Sequence, residues 1–214
     1  MENLKNKTFI ITGGGRGIGA EASKLIASNG ANVILTCRTE SQGFSVEKEI
    51  LSNGDNAKFI PQDVTIENDW RKVIDVNLAG SFLGLKYGTE AIRKHGEGGS
   101  IVMISSVLGK VGAPNTTAVC AAKGGVRLLA KAGACELGPE KIRVNSIHPG
   151  LTDTEVGKVF TSGLSDKQFI QSNIPMGRMA RSEEIAKTIL FLVSDESFFM
   201  TGAELTIDGG YTAG

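Results

Sequence analysis

The sequence predicts one α/β domain that is built on a doubly wound parallel sheet of the Rossmann-like type, with helices on both faces. Three observations predict it. Short apolar runs alternate with amphipathic helical stretches along the 214 residues, and such alternation is typical of crossover connections between parallel strands. The opening run at 8–12 passes through a glycine-rich turn into a helical pattern. Polar residues follow several later runs, at the strand ends where open α/β sheets bind ligands.

The individual elements follow from apolar periodicity and from glycine and proline stops. Pro61 ends the third apolar run and has no backbone donor, so the third strand is expected at a sheet edge. We treat residues 1–214 as one domain, in which the irregular region around 151–179 is expected to act as a lid. The predicted strands are 8–12, 31–37, 57–61, 100–106, 142–147 and 203–207, and the predicted helices are 18–28, 43–52, 67–94, 117–137 and 183–193.

Composition narrows the class of partner. The chain has 23 basic and 23 acidic residues and a formal net charge of zero, so we expect neither nucleic acid nor a membrane as a partner. Its three cysteines are odd in number and fit no zinc spacing, which indicates reduced thiols, a cytoplasmic location and no metal site. No apolar run is long enough for a membrane span, and the N-terminus resembles no signal peptide.

The glycine-rich turn after the first strand predicts a phosphate or dinucleotide site. Glycine lets the backbone approach a phosphate closely, and the N-terminus of the following helix favours an anion. The alternative is a flexible surface loop. The predicted strand before the turn and the predicted helix after it argue against this alternative. The residues that we expect to bind the cofactor here are Gly13, Gly15, Arg16, Gly17, Ile18 and Gly19.

The end of the second strand bears on the choice of cofactor. An acidic residue at this position accepts hydrogen bonds from the ribose 2′-hydroxyl of NAD, whereas an arginine accommodates the 2′-phosphate of NADP. Here Arg38 and Thr39 follow Cys37 directly, and Arg16 offers a second cation. We therefore predict NADP(H) in preference to NAD(H), the alternative being two solvated surface arginines.

Several motifs together resemble the classical short-chain dehydrogenase/reductase family over nearly the whole chain, and most closely its bacterial NADP(H)-dependent secondary-alcohol dehydrogenases and carbonyl reductases. The resemblance implies adenine contact at the strand end 63–64 and nicotinamide contact at the loop 149–154. The matching residues are the TGxxxGxG motif at Thr12–Gly19, Asp63 and Val64, Asn77, Ser106, Lys123, Pro149 and Gly150, Thr152 and Thr154, and Asp208–Tyr211.

The same resemblance implies a catalytic set in which one member differs. It assigns catalytic positions to Asn77, Ser106 and Lys123, and it gives Lys123 a share in cofactor binding. The family's acid/base tyrosine stands four residues before this lysine, where the present chain has Val119. The simpler structural roles are a packing or kink-forming amide for Asn77, a capping hydroxyl for Ser106 and a solvated helix lysine for Lys123.

A segment of the family pattern is also missing. Only 12 residues separate Val64 from Asn77, whereas a helix with a further strand requires roughly 30 residues. If the sheet closes over the gap, Ser106 moves about 4.8 Å, one strand spacing. If it does not close, two strand edges are left without partners.

Two functions are compatible with these features. The first is an NADP(H)-dependent oxidoreductase that interconverts a secondary alcohol and a ketone, impaired because Val119 has no proton to give. The alternative is a non-catalytic member of the same family that binds nucleotide or partner proteins. The helix predicted at 67–94 carries glycines at 80, 84 and 88, which predicts core packing or the subunit interface of a homodimer or homotetramer.

Overall fold

A computed structural model describes residues 4–5, 7–61, 69–155, 157 and 166–214. A π-helical turn, Asp75–Ala79, joins the third and fourth helices. The strands are β1 Thr8–Thr12, β2 Asn32–Cys37, β3 Asn56–Pro61, β4 Gly99–Ile104, β5 Ile142–Pro149 and β6 Glu204–Ile207. The helices are α1 Gly17–Ser28, α2 Glu40–Ser52, α3 Asp69–Ile74, α4 Gly80–Arg93, α5 Thr117–Leu137, α6 Asp166–Asn173 and α7 Ser182–Val193.

The strands form two parallel sheets of three strands each, in the orders β1-β2-β3 and β4-β5-β6. Every pairing is parallel, so the predicted α/β class with a parallel sheet is confirmed. The expected single sheet is not formed, because no pairing within the described part of the chain joins β1 to β4. Of the two outcomes considered for the missing segment, the structure therefore adopts the one in which the sheet does not close.

The outer edge of the first sheet shows why Pro61 is tolerated. Val33 of β2 is paired with Ala57 of β3 in a parallel ladder. In such a ladder every second residue of β3, beginning with Asn56, directs its backbone groups towards β2. Pro61 falls in the other set and faces away from β2, where no donor is needed. In the same set, the backbone N–H of Phe59 donates to Glu47 Oε1 at 2.9 Å. The prediction that the third strand is an edge strand is confirmed.

One hydrophobic core connects the two sheets. Helix α1, from the first half of the chain, packs against α7 from the second half. Both lie on the same face of the two sheets, since buried residues of β2 and β3 share one cluster with Ile147 of β5. The halves are thus joined by helix packing on this face. The buried members include Ile26, Val33, Leu35, Ile50, Phe59, Ile147, Ile185 and Leu190.

A second core lies where α4 and α5 cover β4 and β5. Close approach occurs at glycines of α5, because a Cβ at Gly125 would lie 2.8 Å from Leu78 and one at Gly133 would lie 3.2 Å from Leu85. The glycine stripe of α4 makes no such contact. A Cβ at Gly84 would meet no described atom within 4 Å. The stripe reaches the second core only loosely, at Gly88, where a Cβ would lie 3.9 Å from Ile101. The subunit interface stays a prediction.

The predicted lid is described only in part. Residues 156 and 158–165 lie outside the described residues, and α6 is the short helix expected in this region. Thr152 forms a parallel bridge with Ala180, which ties the start of the region to its end. Movement of the lid remains a prediction. Within the described ranges, no helix combines the length and apolarity that a membrane crossing requires.

Candidate functional site

The turn after β1 has a geometry that only glycine satisfies at several positions. Gly13 and Gly17 have φ values of +70° and +53°, in the left-handed region that disfavours a side chain. A Cβ at Gly19 would overlap the carbonyl oxygen of Gly13, and one at Gly15 would overlap the sulfur of Cys37. The turn is therefore closely packed at Gly15 and Gly19, while the backbone of Gly13 is exposed to solvent.

Helix α1 begins in this turn and presents its N-terminus to the same space. Arg16 is its N-cap residue and makes no capping bond with its side chain. The first-turn N–H groups of an α-helix have no partner within the helix, and they carry the positive end of its dipole. Ile18 anchors the turn by packing against the main core. The arrangement is suited to an anionic group such as a pyrophosphate.

The two arginines predicted to meet a 2′-phosphate have different surroundings. Arg16 Nη1 lies 2.9 Å from Glu155 Oε2 in an exposed ion pair. Arg38 is exposed immediately after β2, and Thr39 beside it is the N-cap residue of α2. Asp63 and Val64, which were predicted to contact the adenine, lie outside the described residues.

The loop after β5 lies against the glycine turn. Gly150 packs tightly against the segment that follows β6, because a Cβ there would lie 2.7 Å from the Cα of Asp208. Thr152 is buried and donates to the Gly150 carbonyl at 3.1 Å. A Cβ at Gly17 would lie 3.1 Å from the methyl carbon of Thr154. The Pro149–Gly150 loop and the glycine turn, far apart in sequence, thus form one site.

Ser106 follows β4 directly, and Lys123 of α5 contacts the same strand end. The Ser105 hydroxyl donates to the Lys123 carbonyl at 2.9 Å, which holds α5 against this strand end. Ser106 Oγ accepts the N–H of Leu108 at 3.2 Å, so its predicted capping role is present and its own proton stays available for a substrate.

The Lys123 ammonium is largely shielded from solvent. Its Nζ donates to the Ile104 carbonyl at 3.0 Å. Burial lowers the pKa of Lys123 to about 8, because the low-dielectric surroundings disfavour the charged form. The solvated-lysine role is therefore wrong for Lys123, because its ammonium is held at the end of β4 by the Ile104 carbonyl.

Val119 lies one helical turn before Lys123, on the same side of α5. It is half-buried, and its branched hydrocarbon side chain has no donor or acceptor. The neighbouring Cys120 bonds within its own segment, to the Thr116 hydroxyl at 3.3 Å. At the position that the resemblance assigns to an acid/base group, the chain has no proton to exchange.

Asn77 lies in the π-helical turn that precedes α4. Its side-chain Nδ2 donates to the Val73 carbonyl at 3.0 Å, and its own carbonyl accepts the Ser81 hydroxyl at 2.6 Å. The kink-forming role considered for Asn77 is thus present. A π-helical turn opens the helix locally, and such turns frequently occur at functional sites.

His148 is a further member of the site, next to Pro149. It is fully buried near the end of β5. Its Nδ1 lies 3.2 Å from the Ser106 carbonyl, and its Nε2 lies 3.0 Å from Ser146 Oγ. A neutral ring that donates from Nδ1 and accepts at Nε2 satisfies both contacts. The available sequence signal was the spacing of Ser146 and His148, which places both on one face of a strand.

We expect the His148 contacts to make stability depend on pH. Burial lowers the pKa of His148 below its usual value of 6.5. The unfolded chain therefore takes up a proton as the pH falls through about 6.5, before the folded chain does, and the free energy of unfolding decreases. Urea unfolding between pH 7.5 and 5.5 measures this slope. His148→Asn should flatten it, whereas replacing the exposed His95 by Asn should leave it unchanged; equal slopes in all three proteins would contradict the assignment.

Comparison with known proteins places this fold and site in a class and then in a family. The parallel strands, the glycine turn and the loop after β5 define a Rossmann-like protein. Residues 65–212 match the family described as enoyl-(acyl carrier protein) reductase, and residues 7–69 match the family described as short chain dehydrogenase. The chain belongs to the short-chain dehydrogenase/reductase family, whose members use nicotinamide cofactors.

Three relatives with assigned activities are similar over 99–100% of the chain. Trans-4-hydroxycyclohexanecarboxylate dehydrogenase of Sinomonas cyclohexanicum is 38% identical, and 95% of its length is covered. Cyclopentanol dehydrogenase of Comamonas sp. is 34% identical, with 100% of its length covered. NADP-dependent (R)-specific alcohol dehydrogenase of Lentilactobacillus kefiri is 32% identical, with 99% covered. These similarities identify the chain as a short-chain oxidoreductase of the group that acts on secondary alcohols.

A solved structure shows that both halves of the chain keep the arrangement of a family member. The crystal structure of a proposed 2-deoxy-D-gluconate 3-dehydrogenase from Agrobacterium tumefaciens, with bound NADP, is 27% identical. It superimposes with a TM-score of 0.90 over 99% of this chain and 98% of its own. The opening between β1 and β4 is therefore not produced by a displacement of one half.

The alignments also support a missing segment. The Comamonas enzyme aligns over 250 positions, whereas this chain has 214 residues, so at least 36 aligned positions have no counterpart here. The two family matches meet at residues 65–69. This junction lies between β3 and α3, where the sequence predicted the loss.

Proposed function

We propose that this chain is an NADP(H)-binding oxidoreductase of the short-chain family that interconverts secondary alcohols and ketones, with cyclic alcohols as the substrate class. The glycine turn that meets the Pro149–Gly150 loop carries the proposal, because it offers backbone donors and a helix N-terminus to a dinucleotide. The names of the Sinomonas and Comamonas relatives support cyclic secondary alcohols as substrates.

The residues present support part of the reaction. A bound nicotinamide cofactor supplies the hydride that reduces a ketone, and the carbonyl oxygen then requires a proton. Ser106 can donate a hydrogen bond to that oxygen, and the Lys123 ammonium can stabilise the negative charge that develops on it. Val119 cannot deliver the proton, so water has to replace the missing acid. We infer that turnover is slow for this reason.

The same valine favours a second candidate, a non-catalytic protein that retains nucleotide binding. The two candidates differ in one measurement. Purified protein is incubated with NADPH and either cyclopentanone or 4-oxocyclohexanecarboxylate, and the alcohol formed is quantified by gas chromatography. Slow, protein-dependent alcohol formation supports the oxidoreductase. Nucleotide binding without alcohol formation supports the non-catalytic candidate, and the absence of nucleotide binding contradicts both.

We predict that NADPH binds more tightly than NADH, because Arg38 is exposed at the position beside the ribose 2′ group. Arg38→Asp should reverse the preference, since a carboxylate repels the 2′-phosphate and accepts hydrogen bonds from a 2′-hydroxyl. Losing a charge-assisted contact should weaken NADPH binding by about 10–100-fold. Isothermal titration calorimetry with both nucleotides measures this effect. Arg71→Asp, at an exposed position of helix α3, is the matched control. A wild type that prefers NADH would contradict the proposal.

We also propose a homodimer or homotetramer that is formed through α4. Phe82, Leu83 and Tyr87 are 51%, 42% and 57% exposed on this helix, which is unusual for three large apolar side chains that lie so close together. Light scattering should give at least twice the monomer mass. Phe82→Lys with Tyr87→Lys should yield the monomer, whereas the charge-matched Ser41→Lys with Ser45→Lys, at exposed polar positions of α2, should not. A monomeric wild type would refute this assembly.

We propose residues 1–214 as one cofactor-binding domain and the cytoplasm as its compartment, in keeping with three free cysteines, Cys37, Cys120 and Cys135. The proposed catalytic positions are Asn77, Ser106, Val119 and Lys123. The proposed cofactor contacts among the described residues are Gly13, Gly15, Arg16, Gly17, Ile18, Gly19, Arg38, Thr39, Lys123, Pro149, Gly150, Thr152 and Thr154.

A further inference from the structure

The edge of β1 that faces away from β2 has backbone groups free for pairing. Asn32 donates its N–H to the Lys7 carbonyl at 2.9 Å, and in a parallel ladder this makes Phe9 and Ile11 the β1 residues that bond to β2. The N–H and C=O groups of Thr8, Ile10 and Thr12 therefore point away from the sheet. Ile10 is 56% exposed, as expected for an edge that no described strand covers.

The edge of β4 that faces away from β5 also has backbone groups that no neighbouring strand of the described chain pairs with. Gly99 and Ser105 donate to Lys141 and Ile147 at 3.1 and 2.9 Å, so the alternate residues Ser100, Val102 and Ile104 point their backbone groups away from β5. One of these groups has a substitute partner. The Ile104 carbonyl accepts the Lys123 ammonium at 3.0 Å, which is a side-chain bond where a sheet would supply a backbone N–H.

The two edges face each other and run in the same direction. Both sheets lie against one core, and Val102 of β4 packs against this shared core. The loop after β5 contacts the turn after β1, so the carboxyl ends of all these strands lie on one side. The superposition on a solved relative keeps both halves in place. We call the space between the open edges of β1 and β4 the strand slot.

We propose that the strand slot binds one extended peptide segment, apolar on both faces and parallel to β1 and β4, which completes a continuous sheet. The length of the relatives and the position of their extra residues favour this occupant. At least 36 aligned positions of the Comamonas enzyme have no counterpart here, and the family matches meet at 65–69, in the connection that leads from β3 towards α4. A strand with two parallel neighbours is buried on both faces and is apolar on both.

The slot offers main-chain bonds on both sides, which is the usual source of affinity when a strand is added to a sheet. A bound segment donates an N–H to the Ile104 carbonyl and so competes with Lys123 for this acceptor. Binding therefore releases the Lys123 ammonium towards the proposed reaction site. The peptide binding itself does not depend on the proposed function, because the edges belong to the fold and not to the cofactor contacts.

The test uses the full chain and a synthetic peptide with the sequence of the Comamonas segment that has no counterpart here, against a scrambled peptide of equal composition. Calorimetry should give one peptide per chain. Hydrogen exchange followed by NMR should show at least tenfold slower exchange at the amides of Ile10, Val102 and Ile104, and little change in β3. Exchange unaltered at these three amides, or slowed equally by the scrambled peptide, would overturn the proposal.

Two variants separate the slot from other peptide-binding surfaces. Ile10→Pro removes an N–H that points into the slot without removing a bond to β2, so it should weaken peptide binding at least tenfold, whereas Ile10→Ala should bind as the wild type does. Lys123→Met removes the competitor for the Ile104 carbonyl and should bind the peptide several-fold more tightly. Thermal unfolding checks that each variant is folded. Equal affinity of the folded Ile10→Pro and Ile10→Ala proteins would also overturn the proposal.

Discussion

Val119→Tyr should increase the rate of NADPH-dependent ketone reduction by about 10²–10⁴-fold, the usual contribution of a positioned acid or base. The side chain at this position lies one turn before Lys123, on the side of α5 that faces the end of β4. A phenol there places a proton donor beside Ser106, and the nearby Lys123 ammonium favours the phenolate that remains after proton transfer. Steady-state alcohol formation from cyclopentanone measures the gain.

The matched control for this variant is Val119→Phe, which adds the same ring without the hydroxyl. It should leave the rate within a few-fold of the wild type, because a phenyl ring cannot donate a proton to the carbonyl oxygen. A rate increase in both variants would attribute the effect to packing. No increase in Val119→Tyr, in a protein that binds NADPH normally, would show that the site cannot position a substrate and would favour the non-catalytic candidate.

Gly19→Ala should weaken NADPH binding by about 10–100-fold. The added methyl group overlaps the carbonyl oxygen of Gly13, so the backbone of the turn has to shift to make room for it. Overpacking of this kind costs about 1–3 kcal/mol, which corresponds to the expected change in affinity when the strain falls on the binding turn. Calorimetric titration with NADPH measures the loss.

Gly138→Ala is the control for the glycine substitution. Gly138 lies at the end of α5 with a helical φ of −55°, and a Cβ there would meet no described atom within 4 Å. This variant should bind NADPH as the wild type does. If Gly19→Ala retained full affinity while remaining folded, the glycine turn would not be the phosphate-binding element, and the proposed function would lose its main support.

Much of the fold was predictable because it depends on local sequence. The range of α5, Thr117–Leu137, was predicted correctly from its apolar periodicity and from the Gly138–Pro139 stop. The edge position of β3 followed from Pro61 alone. The glycine turn was predictable as well, since its residues are consecutive. The left-handed φ of Gly13 and the close approach at Gly19 explain why glycine occurs there.

The features that the sequence left open depend on contacts between distant segments. Whether the sheet closes over the missing strand is decided by the packing of α1 against α7 and by the shared core, which no local pattern reports. The roles of Lys123 and His148 depend on the carbonyls that they reach, those of Ile104 and Ser106. Likewise, the glycines of α4 indicated close packing, which the structure places at Gly125 and Gly133 of α5 instead.

The contact between α1 and α7 has a mechanical consequence. A sheet that is continuous across a Rossmann-like domain resists bending, because each rung of backbone bonds fixes the spacing of its neighbours. In the described part of this chain, the two halves meet through side chains on one face and not through a ladder. The helix pair can then act as a hinge. If a nucleotide binds to both the turn after β1 and the loop after β5, as we propose, it links the two halves at a second place.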